Sequence, residues 1–260
     1  MKIPYYHVDA FSSPQHSGNP AGVCLLSAEW LPEDTMQRIA FENNLSETAF
    51  VLQKDVEYQL RWFTPTIEVD LCGHATLASA HVLLNEVGLD LEQIRFETKS
   101  GAVQVGMDDE RLILDFPSRP PKTMTSPADA AAILGKSPVE SLASRDYFFV
   151  FDNQSDIHHL NPDYAQMSNW DCLGVIVTAP GKSVDFVSRF FAPRAGVNED
   201  PVTGSAHSSL IPYWAQKLQK QNLHALQISA RGGELFCQDA GDRVKIGGQA
   251  ITFMRGVIEI

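Results

Sequence analysis

The sequence predicts an α+β protein of two similar halves, each a mostly antiparallel sheet about one apolar helix, and three observations carry that expectation. A frame of Arg, aromatic, Phe, small residue and Pro occurs twice, as Arg61-Trp62-Phe63-Thr64-Pro65 and as Arg189-Phe190-Phe191-Ala192-Pro193. Each copy is followed by a glycine that opens a helical run, Gly73 and Gly204; Pro193 lies 128 residues after Pro65 and Gly204 lies 131 after Gly73, so the second copy carries three extra residues. Around the two helical runs, short alternating segments bounded by Gly, Pro or Asp read as strands. At 260 residues, each half is long enough to bury its own core.

Taken in order, residues 7–11 form a short strand, 12–20 a turn-rich stretch and 21–26 an apolar strand. Gly18 and Gly22 flank Asn19-Pro20 but no Gly-Lys-Ser/Thr follows, so a tight turn is expected there rather than a phosphate loop. Residues 32–41 carry Pro and acids in front of apolar residues at helical spacing, and Asn43-Asn44 closes that helix. Residues 49–52 are a buried strand, and Glu47 just before it is a candidate acid–base group, because partial burial penalises its charged form. A lone carboxylate in such a place is more often a solvated loop acid. Residues 58–63 alternate as a strand into the first half-site. The helix from 75 to 87, closed by Gly88, has small and apolar residues on nearly every face and belongs inside its domain. Three short strands follow at 95–98, 102–106 and 111–116, until Pro117-Ser118-Arg119-Pro120-Pro121 breaks the pattern.

That break divides the chain into 1–117 and 118–260, with the last strand able to return to the first half. The second half begins with a short helix at 127–134, a strand at 147–151, a helix at 162–167 and a buried strand at 174–178. A helix from 204 to about 220 follows the second half-site, bent or loosened by Pro212. Segments 226–230, 234–237, 243–248 and 250–254 are the closing strands.

Composition narrows the function. The net charge is −12, with no Lys/Arg cluster to offset it, which argues against nucleic acid and anionic membrane surfaces as partners. No leader-like or membrane-length apolar run is present, and the four cysteines, Cys24, Cys72, Cys172 and Cys237, form no paired spacing, so a soluble cytoplasmic protein with free thiols is expected. Cys72 and His74 alone are too few for a metal site, no Gly-x-Ser-x-Gly elbow surrounds Ser205, and no G-x-G-x-x-G marks a dinucleotide. What remains is a pair of helix starts. Each offers free N–H groups and a positive dipole end, and two of them facing one cleft would hold a small anion. His74, at the first of them, is expected to be a neutral imidazole, because the dipole opposes its protonation.

Five motifs, in order along essentially the whole chain, carry a resemblance: Gly18-Asn19-Pro20-Ala21-Gly22, Ser46-Glu47-Thr48-Ala49-Phe50, Phe63-Thr64-Pro65, Cys72-Gly73-His74-Ala75-Thr76 and Glu199-Asp200-Pro201-Val202-Thr203-Gly204-Ser205-Ala206-His207. Together they resemble the signature of the PhzF-like (phenazine biosynthesis-like) family, of the diaminopimelate-epimerase-like fold. The resemblance implies two pseudo-symmetric domains, each a barrel-like sheet wrapped around a central helix, with the active site in the interdomain cleft. It also implies a cofactor-independent isomerase in which Glu47 moves a proton between carbons of a small carboxylate metabolite. His74 and Asp200 match the assisting catalytic residues, and Ser46, Gly73, Gly204 and Ser205 match substrate contacts. Homodimers are common in such proteins, and no cofactor or metal is expected. Loops 12–17 and 155–162 are expected to line the cleft mouth. Related racemases use one cysteine from each half-site; here Cys72 faces Pro201 in the second copy, so a two-thiol mechanism is disfavoured. A one-thiol epimerase using Cys72, or a ligand-binding module without catalysis, are the alternatives. The module needs no proton carriers, whereas Glu47, His74 and Asp200 occur together.

Overall fold

The computed structural model describes residues 1–12, 16–54 and 57–260, so the middle of loop 12–17 lies outside the described residues. The fold is mixed α/β and mostly sheet, in two compact units: Met1–Asp115 with Gly247–Ile260, and Phe116–Ile246. No helix among the described residues is long and apolar enough to cross a membrane.

The first unit runs β1 (Lys2–Ala10), β2 (Asn19–Leu26), α1 (Glu33–Asn43), β3 (Glu47–Lys54), β4 (Glu57–Phe63), β5 (Glu68–Val69), α2 (Gly73–His81), β6 (Gln93–Thr98), β7 (Gly101–Asp108) and β8 (Arg111–Pro117). β2 lies parallel to β3 with Ala21 opposite Glu47, β3 antiparallel to β4, β4 antiparallel to β5, β4 parallel to β6, and β6 antiparallel to β7. Every residue of α2 is buried, and the helix packs on β1, β2, β3, β7 and the C-terminal strand. Its small side chains, Ala75, Ala78, Ser79 and Ala80, allow sheet to approach from several directions. A π-helical turn at Val82–Glu86 extends it, and Gly88, at φ +82°, takes the left-handed position that ends it. The unit's core gathers Met36 and Ile39 of α1 against Phe50 and Phe63, whose rings meet edge to face at 5.5 Å.

The second unit runs β9 (Lys122–Thr123), α3 (Ala130–Leu134), β10 (Glu140–Ala143), β11 (Tyr147–Val150), α4 (Gln154–His159), α5 (Tyr164–Met167), β12 (Val175–Pro180), β13 (Phe186–Ala192), β14 (Val197–Asp200), α6 (His207–Leu218), β15 (Asn222–Gln227), β16 (Gly233–Asp239) and β17 (Arg243–Gly248); β18 (Ala250–Glu259) follows. Its ladder repeats that of the first unit strand for strand. β11 is parallel to β12, β12 antiparallel to β13, β13 antiparallel to β14, β13 parallel to β15, and β15 antiparallel to β16. The internal repeat is therefore a repeat of pairing order. It includes two parallel pairs per unit that alternation in a sequence does not distinguish from antiparallel ones.

β18 belongs to the first unit, antiparallel to β1, with Ala250 opposite Ala10. Two sequence expectations change. The second half-site does not open directly into an α-helix, since Gly204–Ala206 is a 3-10 turn and α6 starts at His207. Asn19 and Pro20, expected in a turn, begin β2 instead.

Candidate active site

The site is assembled where three elements of the first unit begin. Asn19 opens β2, Glu47 opens β3, and Gly73 and His74 open α2 behind Cys72, which caps the helix in extended conformation. Because Ala21 pairs with Glu47, the start of β2 is held beside the start of β3. A carboxylate far from Cys72 in sequence thus reaches the helix start.

Glu47 Oε2 lies 3.1 Å from His74 Nε2, with the carboxylate 18% exposed and the ring 5% exposed. This is an ion-pair distance rather than an aligned hydrogen bond, and Oε2 makes no hydrogen bond elsewhere among the described residues. On the other side of the ring, the Asn19 side-chain amide lies 3.1 Å from Nδ1, with Asn19 fully buried. An amide serves either proton state of the ring. Its NH2 donates to a bare Nδ1, and its carbonyl, after a flip, accepts from Nδ1–H. Cys72 Sγ completes the group at 3.5 Å from Nδ1 and 4.0 Å from Nε2.

Electrostatics here overturn one expectation. Burial opposes a charged His74 most strongly, yet the adjacent Cys72 sulfur and Glu47 carboxylate carry its pKa well above the ordinary histidine value. Burial, followed by the Glu47 carboxylate, pushes the Cys72 thiol itself up to about 11, against the pull of His74, so the sulfur is a neutral thiol at neutral pH. The helix dipole, worth at most about 2 kcal/mol, loses to a carboxylate at contact distance, worth on the order of 4 kcal/mol at an intermediate effective dielectric. The neighbours thus pull His74 towards the charged form, against the neutral ring that its helix position alone favours. The high thiol pKa also makes Cys72 a poor base, which weighs against the one-thiol epimerase.

The second half-site is organised by its own unit. Asp200 ends β14 and accepts from Thr203 Oγ1 at 2.5 Å. Gln227 of β15, fully buried, accepts from Thr203 N–H at 2.8 Å and donates from Nε2 to the Asp200 carbonyl at 2.8 Å. Ser229 Oγ donates to the Pro201 carbonyl at 2.8 Å, and the His207 ring lies with Nδ1 2.9 Å from the Thr203 carbonyl. These contacts fix residues 200–203 just before Gly204 and Ser205, of which Gly204 is buried and Ser205 half-buried. Ser46, half-buried, directly precedes β3.

The repeated arginines have a shared structural role that spacing alone did not reveal. Arg61 forks onto Glu68 at 2.6 and 2.7 Å and lies 5.2 Å from the centre of the Phe63 ring. Arg189 forks onto Glu199 at 2.7 and 2.8 Å and lies 5.0 Å from the Phe191 ring. Each clamps the loop that leads to its half-site. Asn19 and Gln227 are the site residues that sequence reasoning missed. The signal available for Asn19 was its position: a polar residue at the mouth of an apolar strand, as Glu47 is.

Comparison with known proteins places these residues in context. The profile of the family described as phenazine biosynthesis-like protein matches residues 8–256. A Pseudomonas aeruginosa protein named as an uncharacterized isomerase is 51% identical over 261 residues, covering all of both chains. The crystal structure of a phenazine biosynthesis protein of the PhzF family from Enterococcus faecalis is 47% identical, superposes with a TM-score of 0.97 and covers all of both chains. A hydroxyproline epimerase from Agrobacterium vitis, 10% identical, shares the fold alone, with a TM-score of 0.63 over 99% of this chain and 92% of its own.

Proposed function

Because the chain belongs to the phenazine biosynthesis-like family, we propose that it is a proton-moving isomerase acting on a small carboxylate metabolite, with Glu47 as the acid/base. The observation that carries this reading is the Glu47–His74 contact at 3.1 Å, at the junction of two strand starts and a helix start. Glu47 in its carboxylate form takes a proton from one carbon of the substrate and returns it to another. The charge that develops on the substrate between the two transfers is met by the His74 ring and by the free N–H groups of the helix start at Gly73. Asp200 assists from the second half-site, and the N–H groups at Gly204 and Ser205 join those at Gly73 and His74 in holding the substrate carboxylate. Ser46 adds a polar contact beside Glu47. No cofactor is needed, because the proton is both removed and replaced by the same carboxylate.

The naming of a 51% identical relative as an isomerase supports the reaction class. The two units of matching strand order support the further reading that each contributes one half-site to a shared, barrel-flanked cleft. The test is exchange in D2O. Protein is incubated with a pool of small carboxylate metabolites and followed by proton NMR, beside Glu47→Gln. Isomerisation of one component by the native protein, with a loss of roughly a hundredfold to ten-thousandfold in the variant, is expected, since general acid–base groups contribute roughly 10²–10⁴. Equal turnover by Glu47→Gln would overturn the assignment.

A further inference from the structure

We propose that β18 is a contact between two copies of this chain, which pair antiparallel along it about a two-fold axis at Val257. A sheet strand with one covered face buries every second side chain. In β18, by contrast, the five consecutive residues 253–257 are all exposed. The ladder to β1 takes one edge of the strand, from Ala250 opposite Ala10 to Glu259 opposite Lys2. Phe253, Met254 and Val257 stand 48%, 45% and 56% exposed, and Ile260, just beyond the strand, 48%. At roughly 150–200 Å² for a side chain of this size, they leave on the order of 350 Å² of apolar surface, close to half of the roughly 800 Å² that each partner of a stable complex covers. Edge strands are kept single by charge, proline or a bulge. β18 has no proline, and its register shift lies before Met254, so residues 254–259 run regularly against residues 2–7.

The order of side chains says what covers this strand. Within residues 254–260 the charged groups are Arg255 and Glu259, placed symmetrically about Val257. Opposed residues of an antiparallel pair share a face of the sheet, so a strand meeting its own copy has one residue on the axis. With Val257 there, Arg255 falls opposite Glu259 of the partner subunit, and by symmetry the pair forms twice. Met254 falls opposite Ile260 of the partner subunit, and Val257 meets its own copy. Opposite charges and apolar side chains set directly across from each other both favour pairing. An axis at Arg255 would instead oppose two guanidinium groups, and an axis at Gly256 would set Arg255 against a valine. Arg255 is already oriented by Glu86 of its own chain, at 2.5 and 2.7 Å, and is 63% exposed, with donors left for a second carboxylate. Two chains of net charge −12 repel each other, and residues 250–258 contain no carboxylate, so the copies meet where that repulsion is weakest. The sheet then continues from β2 through β1 and β18 into the same strands of the second copy.

Sedimentation equilibrium of the full chain tests this without substrate and independently of the acid/base reading. A mass twice the 28.7 kDa of one chain is expected, with a Kd below about 10 µM. Val257→Asp sets two carboxylates face to face on the axis and should leave single chains. Its far-ultraviolet circular dichroism should match the native protein, because Val257 is exposed. Glu259→Arg places a guanidinium opposite Arg255 of the partner subunit twice over and should weaken the dimer at least about tenfold. Adding Arg255→Glu to Glu259→Arg exchanges the two charges and should restore the native affinity, a rescue that loss of fold does not give. Val257→Cys should cross-link the copies on oxidation, since directly opposed Cα atoms lie about 4.5–5.5 Å apart, within reach of a disulfide. Should the double variant fail to fold, the mass of Val257→Asp and the cross-link of Val257→Cys decide alone. A native chain still single at about 100 µM, a dimer that Val257→Asp leaves intact, or a folded double variant that dissociates like Glu259→Arg would overturn the proposal.

Discussion

Replacing His207 with Asn should flatten the acid side of the stability profile. The ring is fully buried, with Nδ1 2.9 Å from the Thr203 carbonyl and Nε2 without a hydrogen-bond partner among the described residues. Nδ1–H therefore donates to the carbonyl and the ring is neutral. Burial depresses its pKa to about 4, the bond to Thr203 offsetting only part of the effect. In the unfolded chain the ring protonates near pH 6.5. Between those values the unfolded state binds a proton that the native state refuses, so stability is full above about 6.5, falls as pH drops and levels out below about 4. The whole loss is about 3 kcal/mol, of which about 2 kcal/mol is reached by pH 5. Asn places an N–H where Nδ1–H stood and does not titrate. Its smaller volume costs a cavity term that is the same at every pH, so the slope rather than the offset is diagnostic. Urea unfolding followed by the fluorescence of buried Trp214, at intervals from pH 7.5 to 4.5, gives the difference between native and variant proteins. That difference should shift in the variant's favour by about 2 kcal/mol from pH 7.5 to 5. A difference flat within about 0.5 kcal/mol would refute a neutral, buried His207.

Two further outcomes follow from the site. Cys72→Ser should keep turnover within about tenfold, roughly 1.4 kcal/mol of barrier, because a thiol held near 11 takes no part as a base at neutral pH; a loss of several orders of magnitude in a steady-state assay would revive a thiol mechanism. Gln227→Leu should lower stability by about 1–3 kcal/mol in urea titrations, since it strands the Thr203 N–H and the Asp200 carbonyl; an unchanged midpoint would show that other groups hold residues 200–203.

The sequence made part of this legible and not the rest, for physical reasons. The repeated Arg-aromatic-Phe frame marked both half-sites, because each arginine needs the aromatic to lie on and a carboxylate across the hairpin; the pairs are Arg61 with Glu68 and Arg189 with Glu199. The all-round small and apolar pattern of residues 75–87 marked the buried helix, and the structure adds a π-helical turn at its end. The register of strand β18 is not written in it, because an alternating strand carries no address for its partner, and β1 lies at the other end of the chain. Asn19 escaped for the same reason: its contact with His74 spans 55 residues, and no local period encodes it. The pull on His74 was not legible because its helix position is visible in sequence, whereas the Glu47 carboxylate beside it arrives only through the parallel pairing of β2 with β3.

The proton state of His74 is the most direct test of the Glu47–His74 pair, and it needs no substrate. Nitrogen-15 NMR of the histidine rings, assigned with His74→Gln, reports whether both ring nitrogens are protonated. With Glu47 3.1 Å from Nε2, His74 should be imidazolium at pH 7 in the native protein. In Glu47→Gln, burial is left with less opposition and the ring should be neutral at the same pH. A neutral His74 in the native protein at pH 7, or an imidazolium that persists unchanged in Glu47→Gln, would contradict a proton-carrying Glu47–His74 pair.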